Sequence, residues 1–170
     1  TAYTTLATMM QLFGEDGGFD FMKGLHSNIN QYTKSGSAPI KAAGRGETTI
    51  GIVFMHDAVK QAVKGFPVKV VAPAEGTGYE IGSMSIIDGA RNMKEAKAFY
   101  DWALSADAQN LALEVNAFQV PSNTGAKTSA SAPDMSTIKL IDYDFKTYGS
   151  SATRKRLLKK WDDEVSVLAQ

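Results

Sequence analysis

The stretch GRGETTIGIVFMHD, residues 44–57, decides the reading of this chain. Its β-branched centre, Thr48–Phe54, is expected to be a central strand, because such side chains pack well on a pleated surface. The strand ends directly in two ionisable residues, His56 and Asp57. In an open α/β sheet, ligands bind just beyond the carboxyl ends of strands. An imidazole and a carboxylate at that point mark the edge of a binding cleft. Further along, VKVVAPAEGTGYEIGS, residues 68–83, holds a second apolar run and then a Gly-rich turn with Glu75 and Glu80.

Working outward, the segment N-terminal to this core is read as helical. Leu6, Met9, Met10 and Phe13 share one helix face, so Thr1–Phe13 is expected to be a helix, opened by hydroxyl residues. Gly14 to Gly18 reads as a turn and Phe19–Ile29 as a second helix. Gln31–Thr33 reads as a short strand. Ser37 and Pro39 open a third helix that Gly44-Arg-Gly closes. His56–Lys64 is a helix ended by Gly65 and Pro67, and Val68–Ala72 and Glu80–Ile87 are expected strands. From Asn92 the periodicity is helical, Phe118 to Pro133 is a polar loop, and Ser150 to Gln170 is a final helix with Leu157, Trp161, Val165 and Leu168 inward. Strands alternating with helices argue an α/β fold.

Bulk properties narrow the function. The 170 residues carry 18 basic and 18 acidic side chains. That balance offers no global attraction for nucleic acid or an anionic membrane, and no nucleic-acid partner is expected. Cysteine is absent, which removes disulfides, thiolate metal sites and cysteine nucleophiles. The chain opens within the first turn of an amphipathic helix and is read as a piece of a longer protein.

Three segments carry a family resemblance: AAGRGETTIGIV (42–53), VVAPAEGTGYEIGSMSIIDGARN (70–92) and EAKAFYDWALSADAQ (95–109). Together they resemble the periplasmic substrate-binding proteins of ABC importers, in the group often described as ferric-iron binding, with the type 2 periplasmic-binding topology. The resemblance extends from Thr1 to about Leu168. It implies two α/β lobes joined by crossover strands, with the ligand in the cleft between them. Residues 1–78 would then form most of the second lobe. Residues 79–170 would supply a crossover strand and the C-terminal part of the first lobe. It also implies a periplasmic location, a small-molecule ligand and a membrane permease as partner, with no enzyme activity, cofactor or metal of its own.

Each candidate residue has two readings. Thr1, Thr4 and Thr5 sit at a helix N-terminus, whose free N–H groups attract an anion. Ordinary capping is the alternative. Phosphate-binding members of the family place a hydroxyl-rich turn at this position. Iron-binding members carry two tyrosines where this chain has His56 and Asp57. That departure favours members that bind phosphorylated sugars, in which a His-Asp pair and a downstream Glu hold the sugar hydroxyls. By that match Thr1 and Thr4 take the phosphate, and His56, Asp57 and Glu80 take the hydroxyls. Ferric iron or a phosphonate is the alternative ligand. Asp57 could instead cap the following helix. Tyr3 and Tyr79 could stack on a ligand or pack in the interior. Arg45 reads as a surface residue, and Glu75 as a solvated hinge-loop side chain. Arg154-Lys-Arg and Lys159-Lys160 read as the solvated face of the last helix or as a permease contact. A phosphohydrolase of the HD type is the enzyme alternative; His26 and His56 are the only histidines, and neither a G-x-S-x-G elbow nor a P-loop is present.

Overall fold

The computed structural model describes residues 2–169. Among them, α-helices run in the order α1 (Ala2–His26), α2 (Ala38–Gly44), α3 (Met55–Val63), α4 (Met93–Ala103), α5 (Ala106–Glu114), α6 (Phe145–Tyr148) and α7 (Ser151–Glu164), with a single 3-10 turn at Met135–Thr137. None of these helices is long and apolar enough to cross a membrane.

The helices follow the sequence pattern closely. Of the turn expected over Gly14 to Gly18, only Gly14 leaves helical geometry, at φ 74° and ψ 169°, a conformation that only glycine adopts readily, and residues 15–18 already belong to the helix that follows. The chain changes direction there, which brings Phe21 onto Phe13, ring centroids 5.6 Å apart. Pro39 lies in the first turn of α2, and Arg45 and Gly46 end it. α7 begins at Ser150, whose hydroxyl accepts from the Thr153 amide, and stops at Glu164 rather than reaching Gln170.

One core joins the two ends of the chain. Leu6, Met10, Phe19 and Met22 of α1 pack with Leu157 of α7 and with Val165 just beyond it, all buried. Burying each such side chain stabilises by roughly 1.5–3 kcal/mol. Charges pin the same pair of helices. Arg156 holds Glu15 at 2.6 Å, and Lys160 reaches the same carboxylate at 3.5 Å while lying 4.5 Å from the centroid of the Phe19 ring. A smaller unit forms where α2 meets α3 over Ile40, Ala58 and Val59, which are buried. Gly51 makes that approach possible, since a Cβ there would meet the Pro39 carbonyl at 2.8 Å.

The expected strands are the main correction. Thr48–Phe54, Val68–Ala72, Glu80–Ile87 and Gln31–Thr33 form no ladder among the described residues. Among the described residues the only β feature is a single parallel bridge between Thr77 and Leu140. The physical reason is the lack of a neighbour. A strand needs a second backbone to take its N–H and C=O groups, and none pairs with these segments among the described residues. Several of their apolar side chains stay in solvent accordingly, Ile50 at 76% and Ile87 at 81% exposure. The described residues therefore hold helices and irregular segments, not the layered α/β sheet.

Candidate functional site

Three helices, α1, α6 and α7, and the loops before Glu80 and α6 build a small cleft at the N-terminal end of α1. Its volume is about 190 Å³, and Tyr3, Thr4, Tyr79, Glu80, Tyr148 and Arg154 contribute to its walls. The Thr77–Leu140 bridge, with its two hydrogen bonds of 2.9 and 3.1 Å, fixes the segment that leads into Glu80. Gly78 then passes so close to α1 that a Cβ would collide with the Thr8 hydroxyl. Thr8 sits one helical turn after Thr4, and its hydroxyl donates to the Thr4 carbonyl at 2.7 Å. The outcome is that Thr4, buried in α1, donates its hydroxyl to the Glu80 carboxylate.

The opposite wall comes from α6 and its lead-in. Gln11 of α1 accepts from the Asp144 amide at 2.7 Å, and the Asp144 carboxylate caps α6 by accepting from the Thr147 amide at 2.9 Å. Tyr143, Phe145 and Tyr79 thereby gather with ring centroids 4.8 to 6.2 Å apart, Tyr79 edge to face with both others and Tyr143 tilted against Phe145. Such arrangements favour the electropositive ring edge against a π face. Tyr3 donates its hydroxyl to the Tyr148 carbonyl at 2.8 Å and carries the Arg154 guanidinium on its face at 4.9 Å. Burial raises the Tyr3 phenol above its ordinary value, and Arg154 opposes that rise. Burial also raises Tyr143, aided by the charges of Tyr3 and Glu80, and raises Tyr148, aided by Glu15 and Asp144. These phenols are thus held protonated, as hydrogen-bond donors.

His56 and Asp57 stand elsewhere, in the first turn of α3. Phe54, extended at φ −68° and ψ 141°, precedes that helix and makes no side-chain cap. Asp57 therefore does not cap it, but lies in its first turn, where a negative charge is favoured by the helix dipole. The His56 Nε2 and Asp57 Oδ2 atoms are 3.8 Å apart, both side chains are partly exposed, and the imidazole stacks on Phe54. Neither residue lines the cleft beside Thr4. The structure thus brings together Thr4 and Glu80 of the expected set and leaves His56 and Asp57 as a separate pair. Thr1 lies outside the described residues.

Residues 143–154 were missed as site residues. Their signal was an aromatic run, Tyr143, Phe145 and Tyr148, just before a helix with an arginine in its first turns. His26 is fully engaged: Nδ1 accepts from the Tyr32 hydroxyl at 2.9 Å and Nε2 donates to the Leu168 carbonyl at 3.1 Å. It forms no pair with His56–Asp57, and among the described residues no three His, Asp or Glu side chains gather as a metal site.

Comparison with known proteins settles the family. Residues 1–147 match the family model described as bacterial extracellular solute-binding protein. The chain belongs to this family. An uncharacterised protein of Haemophilus influenzae is 50% identical to this solute-binding protein over 168 residues, 98% of this chain and 49% of that one. The Fe(3+)-binding periplasmic protein of Serratia marcescens is 22% identical over 144 residues, 81% of this chain and 41% of that one. Among solved structures, the periplasmic binding protein AfuA of Actinobacillus pleuropneumoniae, with exogenous fructose-6-phosphate bound, matches with a TM-score of 0.93 and 52% identity. The match covers 99% of this chain and 53% of AfuA. The periplasmic binding protein P5PA matches with a TM-score of 0.89 and 41% identity over 98% of this chain and 53% of its own. The chain spans about half the length of these relatives. The two solved neighbours are periplasmic binding proteins, which places this solute-binding protein's backbone in their fold.

Proposed function

We propose that the chain is part of the extracytoplasmic, periplasmic solute-binding component of an ABC importer, and that its ligand is a phosphorylated sugar. One observation carries this reading. The neighbour that matches 99% of the chain at 52% identity is a binding protein with fructose-6-phosphate bound. The cleft chemistry supports it: Glu80 accepts hydrogen bonds from hydroxyls, protonated phenols donate them, and aromatic faces take the C–H face of a sugar. In this reading Thr1, Thr4 and the start of α1 face the anionic end, and Glu80 takes hydroxyls. His56 and Asp57 add hydroxyl contacts from a second wall that meets the ligand on closure. Within it, residues 1–78 supply one lobe and residues 79–170 part of the other, with α7 returning to pack on α1. A membrane permease is the partner that receives the ligand.

Ferric iron is the second reading, since Tyr3, Tyr79, Tyr143, Tyr148 and Glu80 offer oxygen ligands in one cleft. Iron needs phenolates, whereas burial raises Tyr3, Tyr143 and Tyr148. Calorimetry separates the two. Fructose 6-phosphate is expected to bind and ferric citrate is not. Asp57→Ala is expected to weaken sugar-phosphate binding more than about tenfold, the loss of one charge-assisted hydrogen bond. Unchanged affinity removes Asp57 from the site, and binding of iron alone replaces the sugar reading.

A further inference from the structure

A phosphate ester carries close to two negative charges near neutral pH, about −1.5 to −2. The start of α1 offers it N–H groups, but Asp57 and Glu80 are acidic, and the Thr4 hydroxyl already donates to Glu80. Beside those carboxylates a fixed cation strengthens the hold on a phosphate. Arg154 lies in the cleft wall. Its guanidinium sits on the Tyr3 face at 4.9 Å, and Tyr3 is itself anchored to the Tyr148 carbonyl. That places the charge beside residue 4 and the start of α1.

Pairing separates Arg154 from three of the other cations on α7, and its place in the cleft wall separates it from the fourth, Lys155. Arg156, Lys159 and Lys160 each hold a carboxylate within 4 Å, through Glu15, Asp163 and Asp16. Among the described residues Arg154 holds none. Nor does helix stability account for the position. Ser150 precedes α7 as its cap, and a cation so near that end opposes the helix dipole. A planar guanidinium held on a ring, in a cleft and without a carboxylate, suits bidentate contact with a phosphate.

Resting on the sugar-phosphate reading above, we propose that Arg154 binds the phosphate of the ligand and is the charge by which this cleft selects phosphorylated sugars. The test is calorimetry on the full chain with fructose 6-phosphate. Arg154→Gln is expected to raise the dissociation constant at least about tenfold, the order of one charge-assisted contact. Arg154→Lys, which keeps the charge but not the planar fork, is expected to lose less than Arg154→Gln yet more than about threefold, and Lys155→Gln, on the neighbouring exposed residue outside the cleft, is expected to stay within about twofold. If the unsubstituted protein binds and Arg154→Gln binds equally well, Arg154 is not the phosphate contact. An equal loss in Lys155→Gln would replace the specific contact with a diffuse field and overturn the proposal. If the unsubstituted protein fails to bind the sugar phosphate, the reading beneath the proposal falls, and the two failures are distinct.

Discussion

Glu80 and Thr4 meet across 76 positions of sequence, and the meeting depends on an absent side chain. Gly78 lets the chain pass against Thr8, two residues before Glu80 reaches Thr4. Gly78→Ala is therefore expected to cost about 1–3 kcal/mol in denaturant unfolding, the usual penalty of overpacking. It should weaken sugar-phosphate binding as well, because Glu80 would shift. Thr4→Val keeps the shape and removes the donor to Glu80. Its expected cost is about 1 kcal/mol of stability, with a loss of affinity in the same calorimetric assay. Retained affinity in Thr4→Val would mean that other contacts suffice to orient Glu80. At this scale local signals marked Thr4 near the start of α1 and His56 and Asp57 near the start of α3, whereas the strand expected to begin at Glu80 does not form. Tyr143, Tyr148 and Arg154 did not stand out, because their part in the cleft depends on contacts with residue 3, more than 130 positions away along the chain.

The helices show where local signals suffice. Gly14, Pro39, Gly44 to Gly46 and Ser150 mark starts, turns and stops through backbone geometry and capping, which act within a few residues. The β-rich segments show where they do not. Thr48–Phe54 has strand composition, yet a strand exists only when another backbone pairs with it, and composition carries no information on that partner. Between α1 and α7, the Glu15 ion pair allows a test of helix docking. The hydrogen bond from Arg156 holds the Glu15 carboxyl below the ordinary glutamate value. A carboxyl depressed in the folded state adds stability above its unfolded value, about 4.3, and that stability is lost as pH falls through the folded value. Glu15→Gln is expected to flatten the acid side of the stability–pH curve. The effect should be small, under about 1 kcal/mol, because both partners are substantially exposed. A curve of unchanged shape would show that the pair adds nothing to docking.

For the molecule as a whole, uncovered apolar surface is the prominent property. Ile50, Val71, Ile81 and Ile87 lie in solvent, as do the paired rings of Phe99 and Trp102 on α4, and neither α4 nor α5 buries a residue. Unpaired backbone and exposed branched side chains favour association. The isolated 170-residue chain is expected to bind a hydrophobic dye and to self-associate with rising concentration in sedimentation velocity. Ile87→Lys should reduce that association and change stability by no more than about 0.5 kcal/mol, as for ordinary surface substitutions. A monomer at all concentrations would argue that these side chains find cover within the chain in solution.

The cleft has a further consequence, for the order of events in time. Its defining contacts are among the most distant along the chain: Tyr3 to Tyr148 spans 145 residues, Gln11 to Asp144 spans 133, and Thr4 to Glu80 spans 76. Helical turns close in microseconds or less, whereas contacts of long sequence separation come late, because chain entropy must be spent before they reward it. On refolding, helical signal should therefore return well before the ability to take up ligand. A ligand in the refolding buffer can then stabilise the finished protein without hastening its formation.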